Sequence, residues 1–304
     1  TKLKITQSLV EKTLGMTDLP LLSEPNLQQQ LVEIGYQGKK LEELEGLNAT
    51  EKAKMLFIVQ DPYTSYYDAK VVRDFVALTQ KLGFSPILLP FKPNGKAMHI
   101  KGFLARFSKT AKTQAEFLNR VAKLNVPLVG VDPAIVLSYR DEYKEALGDS
   151  RGDFHVLTAH EWLTNQLDSN TLQSAVKNIA KSDRTFEWHL FPHCTESTFM
   201  PNSPKEWQHI FAQFGQTLNV EKVGCCGMAG VFGHEVQNQT MSKGIYDVSW
   251  GKKLQGKDPN HCLATGYSCR SQVKRYEKAI LKHPVQALLE ILNNQHQFLL
   301  TNNL

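Results

Sequence analysis

Short apolar runs alternate with amphipathic helical segments along most of this chain. Residues 54–60 (KMLFIVQ) have the composition of a buried strand, and the segment 68–82 behind them carries apolar residues at helical spacing as far as Gly83. This order recurs in both halves, and the predicted strands are 54–60, 85–89, 126–131, 187–191, 220–223 and 261–265. Strands that alternate with helices favour a parallel sheet with crossover helices, so the sequence predicts an α/β fold.

The order of elements in the second half repeats that of the first, which indicates an internal duplication. We therefore expect two similar lobes of parallel-sheet βα units, preceded by an N-terminal helical and extended segment. The predicted boundaries are 1–50 for the N-terminal segment, 51–165 for the first lobe and 166–304 for the second. The chain starts at Thr1 without the apolar core of a secretory signal, so we expect a trimmed product or a piece of a longer protein.

Bulk composition narrows the classes of function. Apolar residues make up 41% of the 304 residues, enough for real cores, and charged residues make up 21%, which excludes wholesale disorder. No apolar run reaches the roughly 18 residues that a membrane helix needs, so no membrane span is expected. The net charge of +5 comes from Lys and Arg spread along the chain, and nucleic-acid binding is therefore not expected.

The five cysteines are concentrated in the second half of the chain, from Cys194 onwards. An odd number of cysteines without a secretory signal favours a reducing, cytoplasmic location over a disulfide framework. Four of them follow predicted strands of the second lobe: Cys194, Cys225, Cys226 and Cys269. Because ligands of open α/β sheets gather beyond the carboxyl ends of the strands, these four thiols are expected to meet at one metal site.

The residue types indicate which metals such a site takes. Thiolates are soft ligands that select zinc, copper(I) or iron–sulfur clusters over hard cations. The adjacent pair Cys225-Cys226 suits a multi-atom cluster better than a single small ion, and the flanking glycines leave its backbone free to turn both side chains to one face. Thr195, Ser268 and backbone N–H groups can donate hydrogen bonds to the sulfurs. Cys262 is expected to be a buried apolar residue, and His193 a supporting residue rather than a ligand.

Three motifs and the chain's last helix resemble a known family. The segments 191–194 (FPHC), 223–230 (VGCCGMAG) and 264–272 (ATGYSCRSQ) are similar to the cysteine-rich CCG domain, which occurs in one subunit of heterodisulfide reductase and in the iron–sulfur subunit of glycolate oxidase. The resemblance is closest to the C-terminal region of bacterial FAD-linked, iron–sulfur D-2-hydroxyacid dehydrogenases of the D-2-hydroxyglutarate type, whose ending resembles 283–288 (HPVQAL). It covers roughly residues 54–292.

The resemblance implies an electron-transfer role for the metal site. It implies a [4Fe–4S] cluster, with zinc as the alternative, in an oxidoreductase that oxidises a D-2-hydroxy acid such as 2-hydroxyglutarate, lactate or glycolate. FAD would bind in another region or subunit, a further ferredoxin-like iron–sulfur domain would be a partner, and peripheral association with a membrane stays open. This chain alone is then not expected to be catalytic, since it contains no FAD signature.

Two departures from the family limit what the resemblance implies. Gly266 stands where the family has the first cysteine of a CxxC pair, and the first lobe has no cysteines at all. The double-cluster chemistry of heterodisulfide reductase is therefore not implied, although four thiolates suffice for one cluster or one zinc ion. Two other classes stay open: a structural zinc protein, and a subunit-docking module with metal-free cysteines.

Overall fold

The computed structural model describes residues 11–44, 46–169, 172 and 186–301, and its strands form two parallel sheets. The first sheet has the order β2-β1-β3-β4 and the second has the order β6-β5-β7, with every neighbouring pair parallel. The strands are β1 (Met55–Val59), β2 (Ser85–Leu88), β3 (Leu128–Gly130), β4 (Val156–Thr158), β5 (Glu187–Phe191), β6 (Thr217–Val220) and β7 (Cys262–Ala264). The predicted α/β fold of two lobes is confirmed.

Helices connect the strands as crossovers. Those before and within the first lobe are α1 (Leu27–Glu33), α2 (Ala49–Lys52), α3 (Pro62–Tyr66), α4 (Ala69–Lys81), α5 (Lys96–Ile100), α6 (Leu104–Ala122), α7 (Pro133–Arg140), α8 (Glu142–Leu147) and α9 (Ala159–Asp168). Those of the second lobe are α10 (Cys194–Phe199), α11 (Ser203–Gln213), α12 (Gln239–Tyr246), α13 (Lys252–Leu254), α14 (Tyr267–Glu277) and α15 (Pro284–Thr301). A π-helical turn, Asp247–Gly251, joins α12 to α13. None of the described helices is long and apolar enough to cross a membrane.

Two strands differ from the sequence prediction. The prediction missed β4, because three residues give too short a pattern, and the strand exists only through its pairing with β3. β6 lies at Thr217–Val220 rather than 220–223, since its alternating residues include polar Thr217 and Asn219 at the edge of the sheet. Both differences concern edge strands, whose structure depends more on pairing with the neighbouring strand than on local sequence.

The duplication extends further than the sequence indicated. After β7, Lys282 forms an isolated parallel bridge with Leu263, in the position that β4 occupies beside β3 in the first sheet. The helix that follows each of these segments lies between the lobes: α9 contacts β3 and β4 of its own lobe and α11 of the second, and α15 contacts β7 of its own lobe and α4 of the first. The last helix of each lobe therefore joins it to the other lobe.

These two helices bury one apolar core shared by both lobes. Leu56 and Trp162 from the first lobe belong to the same cluster of buried residues as Trp188, Trp207 and Leu288 from the second. A second core combines the first lobe with Leu44 of the N-terminal segment, and a small third core lies in the second lobe and includes Cys226, Cys262 and Cys269. The boundary predicted at 165/166 stays a prediction, since the neighbouring stretch 173–185 lies outside the described residues.

The N-terminal segment runs over both lobes. Asn26 begins α1 with a capping box, its side chain accepting from the Gln29 N–H while the Gln29 side chain accepts from the Asn26 N–H. Farther upstream, the Thr17 N–H donates to the His234 carbonyl at 2.7 Å, which ties the segment to the second lobe. The first ten residues, to which the expectation about a secretory signal applies, lie outside the described part of the chain.

Candidate metal centre

The four cysteines lie at the carboxyl ends of the three strands of the second sheet. Cys194 is the first residue of α10, three residues after the last residue of β5. Cys225 and Cys226 lie in the loop after β6, and Cys269 lies in the first turn of α14, after β7. Because β5 is the central strand and β6 and β7 are its neighbours, the three loops converge on one edge of the sheet.

The convergence brings the four thiols close enough for their protonation to depend on one another. Hydrogen bonding between Cys194 and Cys225, between Cys225 and Cys226, and between Cys226 and Cys269 shifts the pKa values of the first three, and the charge of Cys269 acts in turn on Cys194. As the acceptor from Cys194 and Cys226, the Cys225 thiolate is stabilised, which lowers the pKa of Cys225 well below its usual range. The same hydrogen bonds, together with burial, raise the pKa of Cys194 and of Cys226. With one thiolate already present, the remaining thiols release their protons when a metal binds.

Burial and nearby donors make this edge suitable for soft metal chemistry. Cys226 and Cys269 are 3% and 1% exposed, whereas Cys194 and Cys225 are half-buried on the side nearer the solvent. The Gly227 N–H donates to Cys225 Sγ at 3.3 Å, and the Ser268 hydroxyl lies 4.0 Å from Cys269 Sγ. Donors of this kind stabilise thiolates and tune a bound metal.

His193 supports the site and does not join the thiols. It begins α10 as the N-cap, and its Nδ1 accepts from the Thr195 N–H at 3.2 Å, while Nε2 lies 3.3 Å from the Ser268 hydroxyl. Burial lowers the pKa of His193, so the ring is neutral. A Cβ at Gly266 would lie 2.3 Å from His193 Cδ2, so the glycine at this position leaves room for the ring.

Among the described residues, no group of three or more His, Cys, Asp or Glu side chains is arranged to hold a metal ion. The donor chemistry of four convergent sulfurs nevertheless fits a thiolate-bound metal group. The ligand set Cys194, Cys225, Cys226 and Cys269 therefore stays a proposal, taken up below.

Two further residues lie near the site in supporting roles. Cys262 is fully buried at the start of β7, burial raises its pKa to about 11, and it belongs to none of the three thiol pairs. Arg270 is 5% exposed and ion-paired with Asp68 of the first lobe at 2.9 Å, while its Nη1 donates to the Ala264 and Thr265 carbonyls. Arg270 thus joins the two lobes beside Cys269.

The corresponding edge of the first sheet carries polar groups in place of thiols. Asp61 caps α3 as His193 caps α10, and Asn94 with Gly95 follows β2 at the distance at which Cys226 with Gly227 follows β6. Both glycines have positive φ, +79° and +84°, which supports the duplication at the level of single residues. Burial and the neighbouring Asp132 raise the pKa of Asp61 to about 7.

Asp132 links this edge to the metal centre, a role that the sequence analysis did not foresee. Its Oδ1 accepts from the Ala134 and Ile135 N–H groups and caps α7, while Oδ2 accepts from the Tyr267 N–H at 2.8 Å. Tyr267 is the first residue of α14, whose own N-cap, Gly266, has no side chain. An aspartate from the first lobe therefore caps the helix that carries Cys269. The sequence offers two signs of this contact. Asp132-Pro133 is a typical pattern for the start of a helix, and Gly266, which precedes α14, has no side chain with which to cap it.

Comparison with known proteins places the chain among parts of larger dehydrogenases. No family model matches it. It is 82% identical over 292 residues to a D-2-hydroxyglutarate dehydrogenase of Haemophilus influenzae and 57% identical over 288 residues to one of Escherichia coli. These matches cover 96% and 95% of this chain but 28% of each relative.

A more distant relative has a different substrate in its name. The chain is 22% identical over 234 residues to a subunit of the anaerobic glycerol-3-phosphate dehydrogenase of Escherichia coli, covering 76% of this chain and 57% of that protein. The homologues are thus dehydrogenases, and the chain spans 28% of the length of the D-2-hydroxyglutarate dehydrogenases to which it is so similar.

Proposed function

We propose that Cys194, Cys225, Cys226 and Cys269 hold a [4Fe–4S] cluster that serves electron transfer within a larger oxidoreductase. The observation that carries the proposal is the convergence of these four thiols, from three strand-end loops, on one edge of the second sheet. Four cysteine thiolates are the usual ligand set of such a cluster. When bound, the cluster accepts one electron at a time and passes it on.

The thiols' arrangement favours a cluster over a single zinc ion. A structural zinc site brings four sulfurs to about 2.3 Å from one point, whereas a cluster spreads its ligands over several ångströms. The adjacency of Cys225 and Cys226 agrees with the second arrangement. A metal-free docking role is supported less well, since it gives no reason for four thiols to converge.

The residues around the thiols have definite tasks in this proposal. Burial of Cys226 and Cys269 keeps water from two ligands, and the Gly227 N–H donates to Cys225 Sγ, which stabilises negative charge on that sulfur. Arg270, ion-paired with Asp68, adds positive charge beside Cys269. Cys194 and Cys225, the more exposed ligands, lie on the side where electrons would enter or leave.

The names of the relatives extend the proposal to a whole enzyme. We propose that the intact protein oxidises a D-2-hydroxy acid of the 2-hydroxyglutarate, lactate or glycolate type at FAD, and that this chain's metal centre receives the electrons. The FAD-binding region and a ferredoxin-like iron–sulfur domain would be its partners, and this chain alone would have little dehydrogenase activity. Five free cysteines favour a cytoplasmic location. In the proposed division at 1–50, 51–165 and 166–304, the metal belongs to the last part.

Metal analysis tests the proposal directly. The chain is purified without oxygen, and its iron, zinc and acid-labile sulfide are measured together with its visible spectrum. We expect about four irons and four sulfides per chain with a broad brown absorbance. One zinc without sulfide would establish the structural-zinc alternative. No metal, with four thiols that react with maleimide, would favour the docking alternative.

A further inference from the structure

The helical segment formed by α12 and the π-helical turn lies against the loop that carries the cysteine pair, residues 224–227. Two adjacent residues of the π-helical turn bind the first glycine of that loop. The Gly224 N–H donates to Ser249 Oγ at 2.7 Å, and Trp250 Nε1 donates to the Gly224 carbonyl at 3.0 Å. The second of these bonds fixes the peptide plane that joins Gly224 to Cys225.

The other end of the loop is bound by the same helical segment. Ser242 Oγ donates to the Gly227 carbonyl at 2.8 Å, and it accepts in turn from Gln272 Nε2 at 2.8 Å. A Cβ at Gly227 would lie 2.3 Å from the Ser242 carbonyl oxygen, so only glycine permits this close approach. Ser242 is fully buried, which keeps water from competing for the bond.

The spacing of these residues explains how one helix reaches both glycines. Ser242, Tyr246 and Ser249 stand at i, i+4 and i+7, so they share a face. The wider π-helical turn presents Ser249 and Trp250 to the same glycine, and Tyr246 lies between the two ends, close enough to Cys226 for the two groups to interact. Single π-helical turns are rare in helices and concentrate at functional sites.

We infer that Ser242, Ser249 and Trp250 are positioning residues that hold the cysteine pair in its ligating geometry and keep the Gly227 N–H directed at Cys225 Sγ. The inference rests on the proposed metal centre and adds the residues that tune it. Because N–H donors to cluster sulfurs raise the reduction potential, a loop released from this helix should bind its metal less firmly and at a more negative potential.

Two substitutions test the inference in the 304-residue chain purified without oxygen. Trp250→Phe keeps an aromatic ring but removes the Nε1 donor, and Ser249→Ala removes the acceptor for the Gly224 N–H. Val248→Ala, at a position that is 70% exposed in the same π-helical turn, is the matched control. The readouts are the midpoint potential, the rate of metal loss to a chelator, and the rate at which maleimide modifies the cysteines of the metal-free chain.

We expect both variants to bind metal initially, to titrate at a more negative potential than the control, and to lose metal about fivefold to tenfold faster, the factor for one lost hydrogen bond. Unchanged potential and release rate in a metal-loaded protein would overturn the inference while leaving the proposed function intact.

If the wild-type chain contains zinc, which has no reduction potential to measure, the rate of metal loss alone decides the inference. A chain without metal would refute the proposed function, and the maleimide rates would then decide the inference. If Trp250→Phe does not fold, Ser249→Ala, at a half-buried position, decides.

Discussion

Hydrogen bonding with the neighbouring Cys194 and Cys226 lowers the pKa of Cys225, so Cys225 is the first of the four thiols expected to be a thiolate. Replacing it by serine leaves a hard, neutral hydroxyl, which does not bind iron or zinc as a thiolate does. We expect Cys225→Ser to lose most of the metal while the strands of the first lobe stay folded. Metal content and far-ultraviolet circular dichroism measure both effects.

Cys262→Ala is the control for that experiment. Cys262 is fully buried in the same small core as Cys226, but it belongs to none of the three thiol pairs. We therefore expect this variant to keep its metal at some cost in stability, about 1 kcal/mol for a small cavity. A full metal complement in Cys225→Ser, or equal losses in both variants, would remove Cys225 from the ligand set.

Asp61 gives the first lobe a dependence on pH. Burial, reinforced by Asp132, raises its pKa from 3.8 to about 7. A carboxyl with a higher pKa in the folded than in the unfolded state favours folding at low pH, and this contribution is lost as the pH rises from about 4 to about 7. The amide of the Asp61→Asn variant cannot ionise. As the pH rises over this range, wild type should therefore lose a few kcal/mol of unfolding free energy relative to the variant.

The measurement is the urea midpoint of both proteins at about pH 5 and about pH 7.5, on either side of most of the titration. In the Asp61→Asn variant the new amide oxygen can still accept from the helix N–H groups, so the cap on α3 is kept. Asp141→Asn, at an exposed position of the same lobe, should follow wild type at both values. A constant difference between Asp61→Asn and wild type across this range would show that Asp61 is ionised in the folded protein throughout.

At the scale of elements, α14 depends on a cap that comes from another lobe. Asp132→Ala leaves the first N–H groups of α7 and α14 without their side-chain acceptor, which should cost about 1–3 kcal/mol. Asp132→Asn retains one carbonyl oxygen and should cost less. Urea denaturation measures the difference, and Asp141→Ala is the control, since Asp141 begins α8 without a capping hydrogen bond. Equal effects of Asp132→Ala and Asp141→Ala would contradict the double cap.

The elements differ in how far the sequence predicts them. β1 is an interior strand with an uninterrupted apolar run, and such runs identify buried strands without knowledge of the partners. β5 is also interior, and its large apolar residues Trp188, Leu190 and Phe191 carry the signal despite the polar Glu187 and His189. β4 and β6 lie at sheet edges and are short or polar, so their existence follows from pairing that a local pattern does not contain. The π-helical turn is likewise invisible in the sequence, because no local residue pattern distinguishes it from an ordinary helical turn.

The candidate site follows the same division. The positions of the four cysteines at strand ends could be predicted, because strand ends are visible in the sequence and the carboxyl edge of a parallel sheet gathers ligands. The contribution of the first lobe could not, since Asp132 and Arg270 meet their partners across the lobe interface, more than a hundred residues away in sequence. Such contacts depend on how the lobes pack, and no local pattern encodes that.

At the scale of the whole molecule, the helices α9 and α15, which lie between the lobes, make the lobes mutually dependent. Leu288 of α15 is fully buried in the core shared by both lobes, so each lobe alone would expose part of that core to water. We therefore expect one cooperative unfolding transition rather than two. This distinguishes the molecule from two independent domains joined end to end.

Leu288→Ala tests this cooperativity. Loss of a buried leucine side chain should cost about 2–5 kcal/mol, and because the core is shared, both sheets should lose stability by the same amount. Hydrogen exchange measured on peptides containing β1 and β5 reports the two lobes separately, and Val32→Ala, at a position that is 67% exposed, is the control. Loss of protection in β5 with β1 unchanged would mean that the second lobe unfolds by itself, and the metal centre would then depend on the first lobe only through local contacts such as the Asp132 cap.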